Sequence, residues 1–354
     1  MATDKTHKIP NAPNLRFPEF SGTLEEHKIA EVAPLQRGFD LPTQEIRKGE
    51  FPVVYSNGIL RCHKHYKCEA PGLITGRSGT IGKFTFVENG KYWPHNTSLW
   101  VTDFCGNHPQ YVYYLFQTIN IEQYATGSGV PTLNRNDVHR HTVFVPSVDE
   151  QKKIAEFLSI VDERIATQIG AISKQESLIK GLASELTCEG EKVRIADLVD
   201  CHSSTMQEND ITNDGHYPVY GATGICGYTN SPMCNEDAII IVKDGSGVGN
   251  IKYAYGGFSI LGTLCYLTAK QDVSIGFVYC CLINFDFSPY KTGMAIPHIY
   301  FKDYGKGKIN IKNVAEQQKT KTLLFLLMEK LDVERKLLAQ YKLQKQYLLS
   351  QMFI

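Results

Sequence analysis

A single offset of 166 positions relates the two halves of this chain, and it constrains the fold more than any other feature. Phe51-Pro52-Val53-Val54 recurs as Tyr217-Pro218-Val219-Tyr220, and Gly58-Ile59 recurs as Gly224-Ile225. Thr97-x-x-Trp100-Val101-Thr102 returns as Thr263-x-x-Tyr266-Leu267-Thr268, and Tyr111-Val112-Tyr113 as Phe277-Val278-Tyr279. Thr126-Gly127-x-x-Val130-Pro131 becomes Thr292-Gly293-x-x-Ile296-Pro297, and Glu150-Gln151-x-Lys153 becomes Glu316-Gln317-x-Lys319. Such a period is far longer than a solenoid or propeller unit and has the size of a whole domain. A register that does not drift over more than a hundred positions implies two copies of one fold, with pseudo-twofold character. Whatever the chain does, it is built to do twice.

Each copy splits into a mixed part and a helical tail. The mixed parts are dense in Gly, Pro, Asn and aromatics, with short β-branched runs such as Leu99–Thr102 and Thr142–Val145 that read as strands. Tyr111–Gln123 reads as a helix between them, and Asp237–Val242 as a buried strand. The tails contain neither proline nor clusters of turn formers. In the first, Leu158, Ile165, Ile172, Ile179 and Leu186 stand seven apart, with Ile154, Val161, Gln168, Gln175 and Leu182 as the complementary row. In the second, Leu324, Leu331, Leu338, Lys345 and Met352 face Thr320, Leu327, Glu334, Tyr341 and Leu348. These are heptad seams. Each helix would be roughly 55 Å long at ~1.5 Å per residue. Two such helices, each ending one of two equivalent domains, are natural partners in an antiparallel coiled coil.

The expected fold is therefore α+β: two pseudo-twofold-related mixed α/β domains separated by two long helices. The expected divisions are an N-terminal tail at 1–20, a first domain at 21–148, a central helix at 149–188, a second domain at 189–314 and a C-terminal helix at 315–354. With 354 residues, 42% hydrophobic and 21% charged, the chain has the composition of an ordinary globular protein. No apolar run approaches the ~20 residues needed to cross a bilayer, and Met1–Phe20 carries no apolar signal region. The expectation is a cytoplasmic protein without a membrane partner, its ten cysteines reduced. Thirty-seven Lys and Arg balance thirty-seven Asp and Glu. Any nucleic-acid footprint must then be local.

Three basic segments are candidates for such a footprint. Arg61-Cys62-His63-Lys64-His65-Tyr66-Lys67-Cys68 superficially resembles a metal site, but its spacing is not that of paired CxxC ligands, and of its two cysteines only Cys68 has a counterpart, Cys234. No metal is expected there, and His63, Lys64, His65 and Lys67 are better suited to DNA contact. Arg77 and Lys243 stand at equivalent strand ends, each before a glycine-rich turn, with Lys83 close behind the first. Those turns are tight strand exits rather than a cofactor cradle, because copy one lacks the middle glycine of Gly245-x-Gly247-x-Gly249. Finally, Arg135, Asn136 and Arg140 follow the first Gly-x-x-Val-Pro element, while His298, Tyr300, Lys302 and Lys306 follow the second. Arg, Lys, Asn and His donate to phosphates and base edges, and aromatics contact bases. No GxSxG, HExxH or GxxxxGK[ST] pattern occurs, and no catalytic residues are assigned.

Leu15-Arg16-Phe17-Pro18-Glu19-Phe20, the turn at Ile74–Gly82, the Gly-x-x-Val-Pro-x-Leu element at Gly127–Leu133, and Val145-Pro146 leading to Glu150-Gln151-Lys152-Lys153-Ile154-Ala155 occur in an order that resembles the specificity (S) subunits of bacterial type I restriction-modification enzymes. The resemblance covers essentially the whole chain. Copy two departs in having Lys243 for Arg77, its last turn glycine one residue later, and Glu334 and Lys345 on the seam. The resemblance implies a non-catalytic DNA reader with two target-recognition domains, each reading one half of a bipartite site in double-stranded DNA. It implies two methyltransferase subunits using S-adenosylmethionine, with restriction subunits joining them, and no cofactor in this chain itself. The helices would then act as a ruler whose length sets the gap between half-sites. Two other readings stay open on the residues alone: a stand-alone methyltransferase or nuclease with an unfamiliar motif, and a protein-binding scaffold.

Overall fold

The computed structural model describes residues 11–127, 129–212, 214–270 and 273–354. Of the expected N-terminal tail, residues 1–10 lie outside the described residues, as does Ser128 of the first Gly-x-x-Val-Pro element. The chain forms two compact units. Residues up to Gln168 together with Leu337–Ile354 make the first, and Ile169–Lys336 make the second. The division thus crosses both long helices rather than falling at their ends.

Each unit contains a main sheet with the same strand order. In the first, a four-stranded sheet has the order Leu35–Arg37, Ser98–Val101, Gly72–Gly76, Phe84–Val87. In the second the order is Val199–Ser203, Leu264–Ala269, Ala238–Val242, Ile251–Ala254. Ile74 pairs with Trp100 in the first sheet, and Ile240 with Tyr266 in the second. A smaller sheet accompanies each. Its hairpin, Phe51–Tyr55 with Gly58–His63, shifts register between Val53 and Val54. The equivalent hairpin, Tyr217–Gly221 with Gly224–Thr229, shifts between Val219 and Tyr220. A conserved offset down to a bulge is the repeat seen in the sequence, now in hydrogen bonds. Ala238–Val242 is buried throughout, as its unbroken apolar run requires.

The long helices span Val148–Leu186 and Val314–Met352, 39 residues each, or about 58 Å at 1.5 Å per residue. Asn313 begins the second by accepting the Glu316 N–H at 3.0 Å and donating to its carboxylate at 2.8 Å. This satisfies a terminal donor and favours an acid in the first turn. Past the end of the first helix Gly190 has φ +130°, and a Cβ there would meet Ile311 O at 2.5 Å.

The heptad seam is where the helices meet within each unit. In the first unit, Lys345 pairs with Asp162 at 2.7 Å, and Arg164 lies over the Tyr341 ring. In the second, Arg335 pairs with Glu176 at 2.7 Å, and Leu324 packs with Ala183. Rising numbers on one helix meet falling numbers on the other, so they run antiparallel. Leu158, Ile172, Ile179, Leu324, Leu331 and Leu348 are buried, while Val161, Ile165, Leu327 and Leu338 are half-buried. Two polar seam positions make specific contacts: Gln175 donates to Leu327 O at 3.0 Å, and Lys345 holds Asp162, which also accepts from Tyr114 OH at 3.0 Å.

Candidate nucleic-acid interface

Two sequence elements read separately come together in each unit. Arg77 N–H donates to Thr97 O at 2.8 Å, and Arg77 O accepts from Leu133 N–H at 2.7 Å. Gly79 N–H reaches Pro131 O at 3.1 Å, and Ser78 bridges Thr132. In the second unit, Lys243 N–H donates to Thr263 O at 3.0 Å and Lys243 O accepts from Ile299 N–H at 2.9 Å. Gly245 N–H reaches Pro297 O at 2.9 Å, and Asp244 bridges His298. Thus the glycine turn and the Gly-x-x-Val/Ile-Pro loop form a single surface in each copy. Gly79 and Gly245 have φ +82° and +97°, the left-handed region that glycine enters without strain.

The tip of the small-sheet hairpin joins them in the first unit. Ser56 N–H approaches Thr97 Oγ1 at 3.4 Å, and Lys83 Nζ donates to Asn57 O. Beside the tip, the His95 ring lies tilted against Tyr55 with centroids 4.3 Å apart, and burial holds its imidazole below the usual range. Arg77 and Lys243 are half-buried, and neither makes an ion pair among the described residues. The loop ends expose apolar side chains: Val130, Met294 and Ile296. A cation held at the base of a turn, with apolar residues raised at its rim, is suited to a phosphate-lined groove with base edges inside.

The segments after these loops take different forms. In the first unit, Arg135–His139 is a short helix whose N-cap, Asn134, accepts the Asn136 N–H at 3.0 Å. Arg135 and Asn136 are exposed, and Arg140 pairs with Asp137 at 2.9 Å. The next residues serve the fold. His139 Nε2 accepts Leu35 N–H at 2.8 Å, and burial, helped by Arg135, lowers its pKa. In the second unit, Tyr300 is half-exposed, its ring 5.1 Å from that of His298 and 5.3 Å from Lys302 Nζ. Lys302 and Lys306 are exposed, and Lys306 lies 3.7 Å from Asp303.

His63 requires a correction. It is only 4% exposed, its Nδ1 accepts the Arg47 N–H at 3.0 Å, and its ring packs edge-on to Trp93. With one nitrogen bonded and its ring packed inside the small sheet, its side chain is not presented at the surface. Lys64 and His65 are exposed, and exposed Lys67 rests over the Phe39 and Trp93 rings at 5.5 and 5.2 Å. Arg47 and Lys48, which no motif marks, are brought beside them. Lys64 N–H donates to Arg47 O at 3.1 Å. The only sequence signal for these two was their lack of a basic counterpart in copy two.

Among the described residues, no three His, Cys, Asp or Glu side chains are grouped as metal ligands, and no helix is long and apolar enough to cross a membrane.

Comparison with known proteins follows the same repeat. A family model described as the type I restriction modification DNA specificity domain matches residues 22–174 and again 189–342. A Mycoplasma genitalium protein named as a type I specificity subunit is 24% identical over 270 residues, which is 69% of this chain and 70% of that protein. The crystal structure of the S subunit of a type I restriction-modification system from M. genitalium superposes with a TM-score of 0.68 at 18% identity, covering 97% of this chain and 99% of the other. A chain from a study of complex assembly and conformational transition in the type I system gives 0.53 at 15% identity, covering 93% and 98%. At these identities the structural likeness speaks for the fold.

Proposed function

Since this chain belongs to the type I restriction-modification DNA specificity family, we propose that it reads a bipartite DNA site, one half with each copy, for a complex whose other subunits carry the catalysis. The observation that carries this reading is the surface built twice. In each unit a glycine turn, a Gly-x-x-Val/Ile-Pro loop and a cation (Arg77 or Lys243) are joined by equivalent hydrogen bonds. The copies keep the backbone of this surface and vary its side chains, as two readers of different half-sites would. The chain's own part is recognition. Two methyltransferase subunits supply transfer from S-adenosylmethionine, restriction subunits join them, and the complex works in the cytoplasm. The paired long helices act as the ruler between half-sites.

Co-expression with a methyltransferase partner, followed by sequencing of methylated adenines in host DNA, tests this. A two-part motif with a fixed gap is expected. Replacing residues 21–148 by those of a relative changes one part only, and four residues inserted in the central helix, adding about 6 Å, lengthen the gap. A motif in which both parts change, or a gap insensitive to the insertion, overturns the corresponding half of the reading.

A further inference from the structure

The zero net charge of the chain conceals an opposition between its copies. Residues 35–76 hold six Lys and Arg (37, 47, 48, 61, 64 and 67) against four acids, a charge of +2. The equivalent segment, 201–242, holds none against five acids (208, 210, 214, 236 and 237), a charge of −5. The segments share the hairpin, its register and its bulge, so scaffold does not account for the difference.

In the first unit the cations are gathered. The loop carrying Arg47 and Lys48 is clipped to the end of the Gly58–His63 edge strand by two hydrogen bonds: Arg47 N–H to His63 Nδ1, and Lys64 N–H to Arg47 O. Arg61 lies on the same edge strand, paired with Val53. Arg47, Lys48, Arg61 and Lys64 are all exposed, and none has an ion-pair partner among the described residues, whereas Arg37 is tied to Asp40 at 2.7 Å. Glu45 and Glu50 flank the loop without reversing its sign. The buried imidazole of His63 is therefore a positioning group: it fixes the spacing of cations it does not join. In the second unit Lys48, Arg61 and Lys64 are replaced by Asp214, Gly227 and Asn230.

We propose that Arg47, Lys48, Arg61 and Lys64 form a clamp on the duplex phosphate backbone that the second unit lacks, so that the two half-sites are held unequally. The first is anchored by charge at the small sheet. The second is held through its turn-and-loop surface alone. This rests on the DNA-reading function proposed above and adds where the salt-dependent part of the affinity resides.

The test is duplex binding by the complete chain assembled with its methyltransferase partner, measured from 50 to 200 mM salt. Each phosphate neutralised contributes about 0.9 to the slope of log affinity against log salt. The R47Q/K48Q/R61Q/K64Q variant is expected to lower the slope by about 3 to 4, so that over this range its affinity falls roughly a hundredfold less than that of the parent. The methylated sequence stays the same. The pairs R47Q/K48Q and R61Q/K64Q each lower the slope by about half as much, which guards against a folding defect in the fourfold variant. E208Q/D214N/E236Q leaves slope and affinity unchanged. An unchanged slope in the basic-residue variants, with the parent still binding duplex, overturns the clamp and leaves the DNA-reading function standing. A tenfold gain in affinity from the acidic-residue variant would place the second small sheet on the backbone and overturn the asymmetry. A parent complex that binds no duplex overturns both.

Discussion

Replacing Gln151 by alanine removes three hydrogen bonds from the joint between the first domain and its helix. The side chain is 1% exposed. Its Oε1 accepts His108 N–H at 2.8 Å, and its Nε2 donates to Asn107 Oδ1 at 2.9 Å and Pro146 O at 3.0 Å. Alanine strands the His108 N–H and the Pro146 carbonyl, at about 1–3 kcal/mol for each buried group. Asn107 Oδ1 loses its donor as well, but this bond is only partly buried and the amide stays anchored through Nδ2, which donates to Val32 O and Phe104 O, so its loss is smaller. The total is about 3–4 kcal/mol. For a unit of this size, ~2–4 °C per kcal/mol translates this into a fall of roughly 6–16 °C in its unfolding temperature, readable by calorimetry. Gln151→Met restores volume without hydrogen bonds and should recover little. A fall under about 2 °C for alanine, or near-complete rescue by methionine, would refute the reasoning and make the site one of packing. Gln317 holds the equivalent place with bonds to Ser274 N–H at 3.2 Å and Lys312 O at 2.8 Å. Gln317→Ala should cost less than Gln151→Ala.

Leu324 is fully buried against Ala183 and Cys280, so Leu324→Ala should destabilise the second unit by about 2–5 kcal/mol; denaturant unfolding that shows a loss of stability below about 1 kcal/mol would contradict this. Burial lowers the pKa of His95, His139 and His141 from 6.5. In the unfolded chain these imidazoles take up protons near pH 6.5 while in the folded chain they do so only at lower pH, so the unfolded state binds more protons as pH drops. Stability is then full above about pH 7 and declines below about 6.5. A flat unfolding temperature from pH 8 to 5.5 would remove that contribution.

The repeat made the architecture legible because sheet pairing depends on strand spacing, and a constant offset transmits spacing intact. The seam was legible for the same reason: Leu158 and Leu324 recur at the helical period, and burial selects for that period. The joint at Gln151 was visible only as a repeated Glu-Gln pair. Its function depends on Asn107, His108 and Pro146 arriving from other segments, and no local pattern records that. Tyr111–Gln123 read as one helix, but the helix is Pro109–Thr118, and the chain turns again through Ile121–Tyr124. The residues beyond Thr118 retained helical propensity, but Ile119 takes an extended backbone at φ −83°, ψ 124°.

The binding surface was harder to read, and His63 shows why. In sequence it sits among exposed cations, and a histidine beside lysines resembles a donor to DNA. The end of the strand decides otherwise. On Gly58–His63 the edge-strand side chains are exposed until the last, which turns inward against Trp93 and receives the Arg47 N–H. One residue's direction thus converts a supposed contact into a clip and adds Arg47 and Lys48 to the surface. Neither composition nor motif could identify those two, because the chain's charges cancel overall. Position 48 is lysine in one copy and its counterpart, 214, is aspartate. Both side chains are exposed, so the reversal disturbs no core packing, and contact with a partner is where it has an effect. The repeat therefore supplies an internal reference: agreement between the copies marks scaffold, and a reversal of charge marks where the two halves hold their ligand differently.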